Sequence, residues 1–176
     1  MLFRSIRTNM QVYWDQIYLA PAERIVKPIS LDPERATLAK RGFMQEVYPE
    51  GRPPVAYDDA KTEPVVVTKW KGNLTRLGDV TDLVQKTDDR FAICGPGDEV
   101  TVQFDAAKLP ELKPGWERSF VLRTWGYCKD TSPTTVAGGS VGPLPFRSMA
   151  NYPDFGTAKQ PTTDAKLWHT RPAAGR

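Results

Sequence analysis

The chain has 176 residues, with 24 Lys or Arg against 21 Asp or Glu, a formal net charge of +3. This net charge is small, and the charged residues are mixed in sign. Nucleic-acid-binding proteins typically have a clustered basic stripe, so we expect no nucleic-acid partner. No apolar run approaches the roughly 20 residues of a membrane-spanning helix, and the first residues lack the apolar region of a secretory signal. The 16 prolines and 13 glycines predict many turns and few long helices.

The amino-terminal residues predict strands. Apolar and aromatic side chains fall on both faces of a strand expected over residues 5–19, and a short second strand is expected over residues 25–29. Because the strand pattern begins almost at the first residue, we expect the chain to be a fragment of a longer protein.

Residues 32–84 predict one helix start and several short elements. Asp32-Pro33-Glu34-Arg35 places proline at the first helical position, which predicts one or two helical turns before Gly42. Strands are expected over residues 42–48 and 65–70, and residues 78–84 fit either a strand or one helical turn.

The clearest strand pattern lies in the middle of the chain. Apolar and polar residues alternate from Val100 to Phe104, and Phe91 and Ile93 show the same period of two before a Gly-Pro-Gly turn signal. The pattern predicts a β-hairpin over residues 88–104.

The remaining residues predict one more strand among long loops. A Pro-rich bend is expected over residues 106–116, a third strong strand over 119–129, and a Pro/Gly-rich loop over 131–145. Short strands with frequent turns predict a mainly β fold, an antiparallel, jelly-roll-like β-sandwich with few short helical turns. We expect this domain to occupy residues 1–155 and an extended, flexible tail to occupy 156–176.

Aromatic residues on strands and at strand ends are the candidate ligand-binding surface. Trp70, Trp125 and Tyr127 could form a platform for a sugar or a peptide, although buried aromatic residues are more often part of a core. Lys129 and Asp130 end the third predicted strand and are added to this surface, because loops on β scaffolds often carry recognition.

Catalytic and metal-binding motifs are weak. The single histidine, His169, lies in the predicted tail and is expected to be solvated rather than catalytic. With Cys94 and Cys128 it shows no zinc-ligand spacing. The two cysteines could form a disulfide if their Cα atoms lie within about 7 Å, or serve as small buried apolar residues. We assign no catalytic residue and no cofactor.

Carboxylates are dense around the predicted hairpin. They could bind calcium, provide a pair of acids for a hydrolase, or bond the backbone of their own turns, and the last is the expectation. The group comprises Asp79, Asp82, Asp88, Asp89, Asp98, Glu99 and Asp105.

Short phrases in a fixed order over residues 5–155 resemble a known family. They are Ile6-Arg7-Thr8-Asn9, Tyr13-Trp14-Asp15-Gln16-Ile17, Arg41-Gly42-Phe43, Thr75-Arg76-Leu77-Gly78-Asp79-Val80, Asp88-Asp89-Arg90-Phe91, Gly97-Asp98-Glu99-Val100, Phe104-Asp105-Ala106, Pro114-Gly115-Trp116, Gly126-Tyr127 with Lys129-Asp130, Pro143-Leu144-Pro145-Phe146, and Met149 with Tyr152-Pro153. Together they resemble the carboxy-terminal region of bacterial FG-GAP (VCBS-type) repeat proteins of the ASPIC/UnbV type, which are similar to cartilage acidic protein.

The resemblance implies a region that follows a calcium-binding β-propeller in proteins that often look exported. The propeller's D-x-D-x-D-G calcium loops are missing here, so calcium binding is not carried over, and the resemblance brings no catalytic residues. An extracytoplasmic location is expected only if the chain belongs to a longer exported protein. The sequence therefore predicts a non-catalytic interaction domain that packs against an upstream repeat scaffold, with a carbohydrate-binding module and, more distantly, a hydrolase as alternatives.

Overall fold

A computed structural model shows how the central and carboxy-terminal parts of the chain fold. It describes residues 28–53, 55–63, 70–129, 132, 134–152 and 165–173. The chain divides into two compact units, Met1–Ser30 and Leu31–Arg176, and the fold below is that of the second. The strand predicted over residues 5–19 lies outside the described residues, as does most of the one predicted over 65–70.

A three-stranded antiparallel sheet is the centre of the unit. Strand β1 (Arg35–Lys40) lies between the short β5 (Gly78–Asp79) and β6 (Asp98–Gln103). In β1, Ala36 and Leu38 are buried while the residues between and beside them are more exposed, which is the alternation of a strand with one face on a core.

A second sheet is a two-stranded hairpin. Strand β2 (Phe43–Val47) pairs antiparallel with β3 (Ala56–Glu63). The register changes between Met44, which faces Thr62, and Gln45, which faces Asp58. The intervening residues of β3 therefore bulge out of the ladder.

A third sheet joins distant parts of the unit. Strand β4 (Asn73–Leu74) pairs with β7 (Arg171–Pro172), which follows the one-turn helix α2 (Ala165–Trp168). Helix α2 thereby places Trp168 in the core.

The hydrophobic core lies between the central sheet and two helical turns. Helix α1 (Thr81–Val84) contributes Leu83, and Thr81 Oγ1 accepts a hydrogen bond of 2.9 Å from the amide of Ala36. The buried members of the cluster are Ala36, Leu38, Val80, Leu83 and Trp168.

The predicted mainly β class is confirmed. The described residues form three small antiparallel sheets with few helices. Nothing in these sheets confirms a jelly-roll-like sandwich, and that finer arrangement stays a prediction.

The predicted hairpin over residues 88–104 is wrong. Its second half is β6, but β6 pairs with β1, and residues 88–95 form no strand. The backbone of Ile93 instead exchanges two hydrogen bonds with Thr75: its amide donates to the Thr75 hydroxyl (2.7 Å) and its carbonyl accepts from the Thr75 amide (3.0 Å). Alternation predicts a strand without identifying its neighbour.

The predicted elements before the hairpin are partly correct. The helix start at Asp32-Pro33-Glu34-Arg35 is wrong, because Arg35 already begins β1. The strand over 42–48 is confirmed as Phe43–Val47. Residues 78–84 contain both alternatives, first the short strand β5 and then helix α1.

Two predictions after the hairpin are also wrong. Residues 119–129 form no strand and are mostly exposed. The expected flexible tail is wrong for residues 165–173, which form α2 and β7 and bury Trp168. A single aromatic side chain in a polar segment gives no periodicity, so pattern analysis misses its packing.

Candidate binding surface

Exposed apolar side chains are concentrated between Trp116 and Tyr127, a stretch that we call the aromatic segment. Phe120 is 77% exposed, Val121 92% and Trp125 80%. Burying apolar surface is worth about 25 cal/mol per Å², so a surface that keeps such side chains together in water is typical of a binding site.

A turn positions the start of the aromatic segment. Gly115 has a φ of 78°, which glycine adopts without strain, and the Trp116 amide donates to the Lys113 carbonyl at 3.0 Å. The Lys113 ammonium lies 5.8 Å from the centre of the Trp116 ring. The Arg118 guanidinium donates to the carbonyl of Pro110, so two cationic side chains hold the bend against the segment.

Beyond Trp116, the backbone of the aromatic segment has no partner among the described residues. Within the described part of the chain, no amide or carbonyl group of residues 117–128 makes a hydrogen bond. Unpaired donors and acceptors along a chain can be completed by another strand, as in peptide recognition by strand addition.

Lys129 fixes the end of the segment. Its ammonium donates to the carbonyls of Ser140 (2.7 Å), Val141 (3.3 Å) and Gly142 (2.6 Å). Burial lowers the pKa of Lys129. An ammonium has three hydrogens, and all three find acceptors here, so Lys129 holds the loop that contains these carbonyls.

Tyr127 packs on Tyr152, which bonds the same loop. Its ring meets the ring of Tyr152 edge to face, with centroids 5.1 Å apart, and the Tyr152 hydroxyl donates to the Pro143 carbonyl at 2.9 Å. Burial, together with Tyr127, raises the pKa of Tyr152 to about 12. The loop is thus attached to the segment at Tyr127 and Lys129.

The predicted platform residues have different environments. Trp125 is the most exposed of the three rings, Tyr127 is packed on one side by Tyr152, and Trp70 is half-buried. Lys129 is an anchor, with its ammonium fully bonded to the loop. Asp130 lies outside the described residues. The wider apolar run around Phe120 and Val121 was missed as a surface, because its composition predicts a buried strand.

A buried polar cluster lies around Asp98 and the β7 residue Arg171, and none of the predicted site residues belongs to it. The carboxylate of Asp98 is fully buried and accepts from Arg171 (Nη2–Oδ2 2.5 Å, Nη1–Oδ1 3.2 Å) and from the amide of Gly95 at 2.6 Å. Lys40 lies 3.7 Å away. Arg171 also donates to the carbonyl of Thr75 at 3.0 Å, so this pair ties β7 to the central sheet.

His169 belongs to this cluster and is half-buried, which corrects the prediction of a solvated residue. Its Nδ1 lies 3.1 Å from the hydroxyl of Thr75, whose side chain is fully buried. Burial lowers the pKa of His169. The guanidinium of Arg76 lies over the neighbouring Trp168 ring, 4.5 Å from the ring centre. No sequence signal links His169 to Thr75, which lies far away in the chain.

Three of the seven acidic residues around the predicted hairpin bond the backbone of their own turns two residues ahead, as expected, and the others do not. Asp79, Asp88 and Asp105 each accept from a backbone amide two residues ahead. Asp89 accepts from the amide of Arg147, and Glu99 pairs with Arg41. In this arrangement the carboxylates are dispersed over turns and ion pairs.

The described residues form neither a metal-binding cluster nor a disulfide. Among the described residues, no group of three or more His, Cys, Asp or Glu side chains is placed to hold a metal ion. Cys94 and Cys128 are both free thiols, so they do not pair with each other.

Comparison with known proteins adds no relative. No protein-family model, curated protein or solved structure matches this chain. Among the described residues, no helix has the length and apolar character to cross a membrane.

Proposed function

We propose that this chain is a non-catalytic interaction domain whose binding surface is the aromatic segment, Trp116–Tyr127. The observation that carries the proposal is the coincidence, over the same residues, of exposed apolar side chains and backbone groups that bond no described residue. Exposed side chains alone occur on most proteins, but here the partner would also gain backbone hydrogen bonds.

The side-chain order of the segment favours a protein partner. If residues 120–125 are drawn out as a strand, Phe120 and Leu122 lie on one face and Val121 and Trp125 on the other. Apolar residues on both faces are the composition of a strand that is covered on both sides. A protein sheet or hairpin offers such cover, and a repeat scaffold of the kind suggested by the family resemblance is a candidate.

Photo-crosslinking tests this function directly. A photoreactive amino acid at Val121, in the chain produced in its native cells, is expected to capture a specific protein, and Trp125→Ala should reduce that capture severalfold. The same amino acid at Val136, an exposed valine on the neighbouring loop, is the control. The proposal is contradicted if capture at Val121 does not exceed capture at Val136, or if Trp125→Ala leaves capture at Val121 unchanged.

Carbohydrate binding is the second candidate, because Trp125 is exposed and Tyr127, two residues on, falls on the same face of an extended chain. Aromatic rings on one face can stack on sugars. Titration calorimetry with soluble β-glucan and chitin oligosaccharides should then show binding that Trp125→Ala removes and Trp116→Ala preserves. Heat changes that are identical for the native chain and Trp125→Ala contradict this candidate.

A further inference from the structure

We propose that the aromatic segment adds as a strand to the outer edge of β3 in a second copy of this chain. The inference rests on the proposed function and names the partner. It requires a free strand edge of suitable composition on the same molecule, and the β2–β3 hairpin provides one.

The β2–β3 hairpin carries exposed apolar side chains, and no described strand pairs with the outer edge of β3. Among the described residues, β3 pairs with β2 alone. Tyr57 on β3 is 59% exposed, and Phe43 on β2 is 53% exposed. A two-stranded hairpin is marginally stable by itself in water, so a third strand would stabilise it.

The charges of the two elements are complementary. The aromatic segment contains two basic residues, Arg118 and Arg123, and one acidic residue, Glu117. Strand β3 contains three acidic residues, Asp58, Asp59 and Glu63, and one basic residue, Lys61, which pairs with Asp58 at 3.0 Å and leaves Glu63 for the contact. Opposite charges across an interface fix its partner and register.

One residue of each sign is available for the contact. In the described part of the chain, neither Arg123 nor Glu63 makes an ion pair or a side-chain hydrogen bond. The other long open edge, that of β6, is less suitable, because Asp98 and Glu99 are already paired with Arg171 and Arg41. Charge therefore favours β3 over β6.

Two copies can make this contact reciprocally. Each copy supplies one aromatic segment and one β3 edge, so a two-fold arrangement forms the contact twice and closes the assembly. If the rotation does not close, the same contact produces a chain of copies.

Sedimentation velocity over about 1–200 µM protein tests the inference. The native chain is expected to associate, and Arg123→Glu or Glu63→Lys should each weaken association about tenfold by placing like charges opposite one another. The double variant, Arg123→Glu with Glu63→Lys, should recover most of the loss. Arg52→Glu, a reversal at an exposed loop position, is the matched control and should associate like the native chain.

These outcomes distinguish a failure of the second-copy inference from a failure of the proposed interaction function. Recovery in the double variant supports pairing between the segment and β3. A native chain that stays monomeric to 200 µM, or a double variant no better than the single ones, overturns the second copy as partner. If Val121 still captures another protein from cells in that case, the interaction function stands. If neither association nor capture occurs, both the second-copy inference and the interaction function are contradicted.

Discussion

Thr75 is the residue on which the buried polar cluster depends. Its hydroxyl accepts from the amide of Ile93 and contacts Nδ1 of His169, and its side chain is fully buried. In Thr75→Val the shape is kept while two polar partners lose their bond. An unsatisfied buried group costs about 1–3 kcal/mol, so the free energy of unfolding should fall by that order in urea denaturation. Thr101→Val on the exposed part of β6 is the control, and equal losses in both variants contradict the assignment.

Asp98 is the charged member of the cluster. Its carboxylate is fully buried and bonded to Arg171, whose side chain is only 22% exposed. Removing one partner of a buried pair leaves the other uncompensated, so Asp98→Asn should cost about 3 kcal/mol of unfolding free energy. Glu99→Gln breaks the partly exposed pair with Arg41 on the same strand and should cost about 1 kcal/mol or less. A cost for Asp98→Asn as small as that for Glu99→Gln would show that the pair contributes little.

His169 makes stability depend on pH. Burial places its pKa in the folded protein below the value of about 6.5 expected when unfolded. The unfolded chain therefore binds the proton more readily, and the stabilising contribution, complete above pH 6.5, is lost as the pH falls below it. Unfolding free energy measured between pH 7.5 and 5 should decline, and His169→Asn should flatten that decline. Since His169 is the only histidine, an unchanged slope in the variant contradicts the account.

The Lys129 anchor acts on a whole element, the loop of residues 134–142. Replacing Lys129 by Met removes three hydrogen bonds and leaves the Ser140 and Val141 carbonyls without their donor, while the Gly142 carbonyl keeps the bond from the Ser140 hydroxyl. Amide exchange at Gly138 and Val141 is expected to accelerate severalfold. Lys113→Met, which removes an exposed ammonium beside Trp116, should leave both amides unchanged. Equal exchange in the two variants means that Lys129 does not hold the loop.

The elements that sequence predicts well are those with a local cause. The strand at Phe43–Val47 follows from β-forming residues after a glycine, and the strand character of Asp98–Gln103 from its alternation. Its partner, Arg35–Lys40, was taken for a helix because a proline signal outweighed the weak alternation of Ala36 and Leu38. Strand pairing over such a separation depends on the collapsed core, which no local pattern records.

The binding surface shows the same limit. Trp125 and Tyr127 were predicted from residue type, and Trp125 is indeed exposed. The extent of the surface was missed, because Phe120, Val121 and Leu122 have the composition of a buried strand. Such a composition is typical of a strand that other elements cover. In the described part of the chain, no element covers this segment.

At the scale of the whole molecule, the unit Leu31–Arg176 combines two contrasting parts. A compact core around Trp168 is stabilised by the Asp98–Arg171 pair, while the aromatic segment and the β2–β3 hairpin expose their apolar side chains. The first part gives the protein its stability, and we infer that the second gives it its partner.

Amide hydrogen exchange of residues 117–128, followed by mass spectrometry at low and high protein concentration, tests the central claim most directly. In dilute solution these amides should exchange as fast as those of an unfolded peptide, while those of β1 stay protected. At concentrations where copies associate, residues 117–128 and the outer edge of β3 should become protected together. Protection of residues 117–128 already in the dilute monomer would contradict the account, because the segment would then be covered without a partner.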